Sequence, residues 1–151
     1  MAQGKRPKIQ RTTEIAAPVE KVFAYYANME NQVEIWPSLV EVRDMQYDEQ
    51  GRPTTYEWTY MMAGMRFDGT GRITEYEPNR RFAGESKGGI DSYIQVTFEG
   101  RGATTLVHEE VEYEIPNTLL GRFAEPFLMR INENELETIH RNLKARMEAE
   151  Q

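Results

Sequence analysis

Thr104-Thr105-Leu106-Val107-His108-Glu109-Glu110-Val111-Glu112-Tyr113-Glu114-Ile115-Pro116 is where the chain changes its period. Up to Ile115 the side chains alternate every second residue, as in a strand with one buried face. Thr105, Val107, Glu109, Val111, Tyr113 and Ile115 share one side, and Leu106, His108, Glu110, Glu112 and Glu114 share the other. Pro116 has no N–H to offer a ladder and ends the strand. Beyond it the apolar residues recur at helical spacing. Asn117 and Thr118 can cap a first turn, and Pro126 marks a kink or the start of the main helix. From there to Glu150 the spacing predicts a helix of about 25 residues, roughly 37 Å long. Phe123, Phe127, Leu128, Ile131, Leu136, Ile139, Leu143 and Met147 form its apolar face, with Glu133, Glu137, Arg141 and Lys144 opposite. The chain therefore ends in one long amphipathic rod.

Toward the N-terminus, Gly100-Arg101-Gly102 joins this strand to another over Ile90 to Glu99, whose inner row is Ile94, Val96 and Phe98. Gly88-Gly89 turns into Arg81 to Ser86, and Pro78-Asn79-Arg80 closes Met65 to Glu77. Gly64 links that strand to Thr54 to Ala63, and Asp48 to Pro53 links it to Leu39 to Tyr47. Strands joined by such short loops are antiparallel. Pro7 to Ala17 reads as a further strand, separated from the rest by two short helices. Pro18 starts the first, Val19 to Ala27, and Pro37 closes the second, Met29 to Ile35. The expected fold is α+β. A curved seven-stranded antiparallel sheet surrounds a long C-terminal helix in one domain spanning 1–151, with residues 1–6 as a flexible tail.

A chain of 151 residues, 39% of them hydrophobic, is long enough to bury about 70% of its unfolded surface around one core. With 18 basic against 25 acidic residues it carries a net charge of −7, which repels phosphate backbones and anionic membranes. The one basic cluster, Lys5-Arg6-Pro7-Lys8, sits at the terminus. No nucleic-acid partner is expected. Cysteine is absent, so disulfides, thiolate metal sites and cysteine nucleophiles are excluded together, and a reducing cytosol suits the chain. No apolar run approaches the roughly 20 residues that span a bilayer, and Met1 to Gln10 lacks the apolar core of a signal peptide. The expectation is a cytoplasmic protein, monomer or homodimer, without stable membrane insertion.

Several residues could carry chemistry. In Thr54 to Ala63 the row Tyr56, Trp58, Tyr60 and Met62 should face inward, either as ordinary core or as the lining of a pocket, with Thr55, Glu57, Thr59 and Met61 outside. Glu109 is the odd member of an apolar row. A carboxylate there must be paired, hydrogen-bonded or neutral, and desolvation suits such a group to proton transfer or to gripping a ligand donor. The alternative is that a bulge shifts the register, or that a tyrosine or arginine satisfies the carboxylate without any function. On the helix, Asn132 and Glu135 either make a polar notch toward the strands or look out at the rim where the stripe narrows. His108 on the outer face and His140 on the polar side of the helix read as surface residues, and two distant histidines make no zinc site. Gly69-Thr70-Gly71 and Gly84 to Gly89 are too loosely spaced for phosphate loops and fit bends inside strands. Neither a metal nor a cofactor is expected.

Four segments carry a family resemblance. They are Ile15-Ala16-Ala17-Pro18-Val19-Glu20-Lys21-Val22-Phe23, Trp36-Pro37-Ser38-Leu39-Val40, Glu77-Pro78-Asn79-Arg80-Arg81-Phe82 and Leu143-Lys144-Ala145-Arg146-Met147-Glu148. In this order they resemble the START/polyketide cyclase-like helix-grip (SRPBCC) superfamily, over nearly the whole chain. The resemblance implies a deep cavity between sheet and helix, which different members use for lipids, hormones, polyketides or quinones. The leading expectation is a non-catalytic carrier of a small hydrophobic molecule. Its lining would be the Tyr56 row, Ile94, Val96 and Phe98, then Glu109, Val111 and Tyr113, and Phe123, Phe127, Ile131 and Glu135 from the helix. The alternative is a cyclase or dehydratase with Glu109 as general acid/base and Tyr56, Tyr60 or Tyr113 orienting carbonyl or phenol groups. Such members tend to present an interior arginine, and no arginine here reads as inward. A third reading is an accessory protein docking on a larger complex through an exposed apolar patch at Leu119, Leu120 and Phe123.

Overall fold

A computed structural model describes residues 7–149; the tail expected at 1–6 lies outside the described residues. β1 (Lys8–Ile15) leads into α1 (Val19–Tyr26) and α2 (Met29–Ile35). Pro18 stands at the N-cap of α1, and the Asn28 side chain caps α2 by accepting from the Glu30 N–H at 3.1 Å. Then come β2 (Leu39–Tyr47), β3 (Pro53–Met62), β4 (Met65–Glu77), β5 (Arg81–Gly88), β6 (Ser92–Arg101) and β7 (Thr104–Tyr113). The chain ends with α3 (Asn117–Leu120) and α4 (Glu125–Ala149). Pro126 falls in the first turn of α4, where a missing N–H costs nothing, so it starts the helix rather than kinking it.

All seven strands form one antiparallel sheet in the order β1-β7-β6-β5-β4-β3-β2. The meander follows the chain except at its start, where β1 pairs with β7 from Lys8↔Glu112 to Ile15↔Thr105 without a register shift. At the other edge β2 is irregular: its pairing with β3 slips at three places, and Asp44 takes a φ of 55°. Such bulges increase twist and blunt an edge strand. Ala63, expected in a strand, is instead the first residue of the β3–β4 turn. With φ of 51° at Ala63 and 79° at Gly64, this turn has the primed geometry that matches strand twist.

The sheet curves around α4. The buried stripe of α4 is Leu128, Asn132, Leu136, Ile139, His140, Leu143 and Met147. Leu128, Leu136, Ile139, Leu143 and Met147 are the residues the apolar spacing marks, and Asn132 and His140 join them; Ile131 is only partly covered, and Phe127 is 51% exposed. Two packed clusters flank the helix. One joins Val22, Phe23 and Tyr26 of α1 to Val96, Phe98, Val107, Ile139, Leu143 and Met147. The other joins Trp58, Tyr60, Met62, Val111 and Tyr113 to Leu119, Leu128 and Leu136. Each such side chain contributes about 1.5–3 kcal/mol by burial. The helix is gripped at both ends, and the sheet is free to stand off between them.

Candidate functional site: a cavity between sheet and helix

Residues from both clusters bound a cavity of about 120 Å³. Tyr56, Trp58, Tyr60 and Met62 of β3 line it, as alternation predicts. Ile94 of β6, Val111 and Tyr113 of β7, and Glu135 with Asn132 of α4 complete the part of the wall read from sequence. Both candidate positions on α4 thus take the inward alternative. The volume is of the order of the roughly 150 Å³ engineered cavity that accepts benzene, and well below the ~300–1,000 Å³ of drug-sized sites.

The volume survives because of two glycines. Trp58 pairs with Gly69 and Tyr56 with Gly71 across the β3–β4 ladder. A Cβ at Gly69 would stand 2.3 Å from Trp58 Cζ2, and one at Gly71 would stand 2.2 Å from Tyr56 Cζ. Both rings therefore lie down on the neighbouring strand instead of standing up into the cavity. The pair serves ring placement, a use beyond the bending expected of it.

The polar groups of the wall are few and mostly matched. Glu135 accepts from the Tyr60 hydroxyl and from the Ser38 N–H at 2.8 Å, tying α4 to β3 and to the start of β2. Burial and the Glu135 charge push the Tyr60 phenol well above its usual range. Burial raises Tyr56 and Tyr113 to about 12. Asn132 donates to the Leu128 carbonyl at 2.9 Å, and Gln32 to the Tyr26 carbonyl at 2.6 Å. The indole Nε1 atoms of Trp36 and Trp58 are the exception. Both are buried and have no hydrogen-bond partner among the described residues.

Behind the wall runs a second polar feature. Glu109 is 0% exposed and faces inward, as the alternation requires, yet it does not reach the cavity. Tyr26, which does, donates its hydroxyl to Glu109 Oε2 at 2.9 Å. His140 Nε2 meets Glu109 Oε1 at 2.9 Å, and His140 Nδ1 meets Thr13 Oγ1 at 2.8 Å. Burial, then the Glu109 charge, drives the Tyr26 phenol well above its usual range. His140 is a correction to the sequence reading: at 1% exposure it is no surface residue. The edge strand β1 covers the flank of α4 that a helical wheel leaves to solvent. His108 is partly exposed on the outer face, 2.6 Å from Thr12 Oγ1.

Other expected lining residues also lie elsewhere. Val96 and Phe98 belong to the packed cluster under α1, where Phe98 meets Phe23 and Tyr26 edge to face at 5.1 Å and 5.7 Å. Phe123 and Phe127 stack on each other at 5.6 Å, outside the wall, and Ile131 lies on the helix flank. Leu119 is 0% exposed, so it offers no docking patch. The sequence reading in turn missed the contribution of the two short helices and of the link into β2: Tyr26, Met29, Gln32, Trp36 and Leu39. The spacing of Val22 and Tyr26 marks an inward face, but nothing in it says that this face closes one side of a cavity. Among the described residues there is no cluster of side chains able to hold a metal ion, and no helix long and apolar enough to cross a membrane.

Residues 6–148 match a family model described as polyketide cyclase/dehydrase and lipid transport. Among solved structures, a START superfamily protein from Mycobacterium smegmatis is similar over 95% of this chain and 99% of its own, at 16% identity and a TM-score of 0.80. A protein from Thermus thermophilus is similar over 96% and 99%, at 18% identity and a TM-score of 0.79. The Zhui aromatase/cyclase from Streptomyces sp. R1128 is similar over 94% and 96%, at 15% identity and a TM-score of 0.68. At such identities the likeness is one of fold. No curated protein matches the chain.

Proposed function

The chain belongs to the polyketide cyclase/dehydrase and lipid transport family, and from that premise we propose that it binds and carries one compact, mainly apolar molecule between its sheet and α4. The observation that supports this most is the cavity itself, walled by Tyr56, Trp58, Tyr60, Met62 and Tyr113 and kept open by Gly69 and Gly71. Removing apolar ligand surface from water contributes about 25 cal/mol per Å², and a preformed space spares the protein the work of opening one. The volume suits one or two rings or a short acyl chain. A cytoplasmic carrier, monomeric or homodimeric, is part of the same reading.

The test is a search for cargo. Protein purified under native conditions and examined by mass spectrometry should release a compact apolar molecule, and a naphthalene-based fluorescent dye should bind at one site per chain. Trp58→Ala, which removes a wall, should lose both. A chain that releases nothing and takes up no dye is not a carrier.

The line Tyr26–Glu109–His140–Thr13 favours a second reading, an acid–base enzyme of the cyclase or dehydratase type. In it the Tyr26 phenol exchanges a proton with an enolisable ligand, and the carboxylate and imidazole behind it hold the charge. Turnover of such a substrate should then fall at least about a hundredfold in Glu109→Gln, the scale for losing a general acid/base. An unchanged rate removes Glu109 from any mechanism.

A further inference from the structure

Tyr60 is met edge to face by two indoles, Trp36 at 6.3 Å and 72° and Trp58 at 6.5 Å and 83°. All three rings belong to the cavity wall. The tyrosine has its acceptor in Glu135 and Tyr26 has one in Glu109, and Gln32 and Asn132 each place an amide N–H on a backbone carbonyl. The two indole N–H groups have none: each is shut off from water and unpartnered among the described residues. An indole nitrogen can only donate, and a buried donor left unpaired is costly. Phenylalanine would supply the same apolar wall at no such cost. Two of these donors in one wall call for an acceptor that arrives from outside the chain.

The charge of the surroundings narrows that acceptor. The wall contains no lysine or arginine, whereas Glu135 lies in it and Glu109 sits one residue behind Tyr26. A carboxylate or phosphate would meet negative charge with nothing to offset its own desolvation. The oxygen must be neutral.

We propose that the cavity is selective for a neutral molecule bearing a carbonyl or ether oxygen, and that Trp58 and Trp36, through their Nε1–H groups, are the residues that read it. The inference rests on the carrier reading and adds the ligand class to it: neither a plain hydrocarbon nor a fatty acid, but a compact oxygenated ring or acyl compound. The competing arrangement is that the donors spend themselves on the face of Tyr60, a weaker contact than an oxygen provides.

Three probes of similar size separate these cases: tetralin, 1-tetralone and 1-naphthoate, titrated calorimetrically against the full chain. Tetralone should bind about tenfold more tightly than tetralin, the scale of one net hydrogen bond, with naphthoate weakest. Trp58→Phe should erase the tetralone advantage, bringing the ratio of tetralone to tetralin affinity from about ten to about one, and Trp36→Phe should reduce that ratio. A second measurement needs no variant. The chain has 2 tryptophans, so its nitrogen–proton NMR spectrum holds two indole signals, and tetralone but not tetralin should move them downfield. Equal affinity for tetralin and tetralone with unmoved indole signals, or naphthoate binding tightest, overturns the inference while the carrier reading stands. Failure of all three probes to bind removes both together.

Discussion

Glu109 meets no water, and both of its oxygens are taken, one by the Tyr26 hydroxyl and one by His140. Replacing it with leucine strands a phenol and an imidazole in the core. Removing one member of such a buried pair costs about 3–5 kcal/mol, so Glu109→Leu should lose stability on that scale in urea denaturation. Adding His140→Leu and Tyr26→Phe should restore much of it, because an apolar replacement of the three leaves only the half-buried Thr13 hydroxyl without its partner. A single variant within about 1 kcal/mol of the parent would mean that the pair is not closed as described. The carboxylate was legible as the polar exception in an alternating row. Its partner was not: His140 finds Thr13 and Glu109 across the fold, and helical spacing carries no information about an edge strand wrapping the flank.

β4 owes its character to two missing side chains. At Gly71 an added methyl meets only the far end of the Tyr56 ring, which can swing aside into the cavity. At Gly69 it meets Trp58 and also the Lys87 carbonyl at 2.5 Å, backbone of the paired strand that cannot yield. Gly71→Ala should therefore cost about 1 kcal/mol and abolish dye binding, and Gly69→Ala about 3 kcal/mol, the two ends of the overpacking range. Denaturation and dye titration on both variants check this, and equal costs at the two positions would contradict it. Element order was legible here because turns, prolines and period-two rows agree with one another. The finer placement was not. Ala63 reads as strand yet turns the chain, and the buried stripe of α4 takes in Asn132 and His140 and leaves out Phe127, because packing against β1 fixes the rotation.

Across the whole molecule, Tyr25, Tyr26, Tyr56, Tyr60 and Tyr113 have phenols pushed above the ordinary 10.0, in each case first by burial. The unfolded chain loses these protons near pH 10 while the folded chain keeps them. Their contribution is fully present below pH 10 and fades as pH rises toward and beyond about 12, where Tyr56 and Tyr113 ionise in place. Absorbance at the phenolate band should show five of the 8 tyrosines titrating late, together with loss of the folded circular dichroism. Eight phenols ionising near pH 10 in an intact fold would refute the burial on which the cavity depends. The curved sheet and its rod were legible from period, turns and prolines taken together. The seam between β1 and β7 was not, since no local pattern tells β1 to cross to β7. That seam sets an order of events during synthesis. Lys8 emerges from the ribosome about a hundred residues before Glu112, the residue it will face. Such distant pairing slows folding, so β1 waits unmatched until β7 has emerged, and the seven-stranded sheet gains its last edge strand only then.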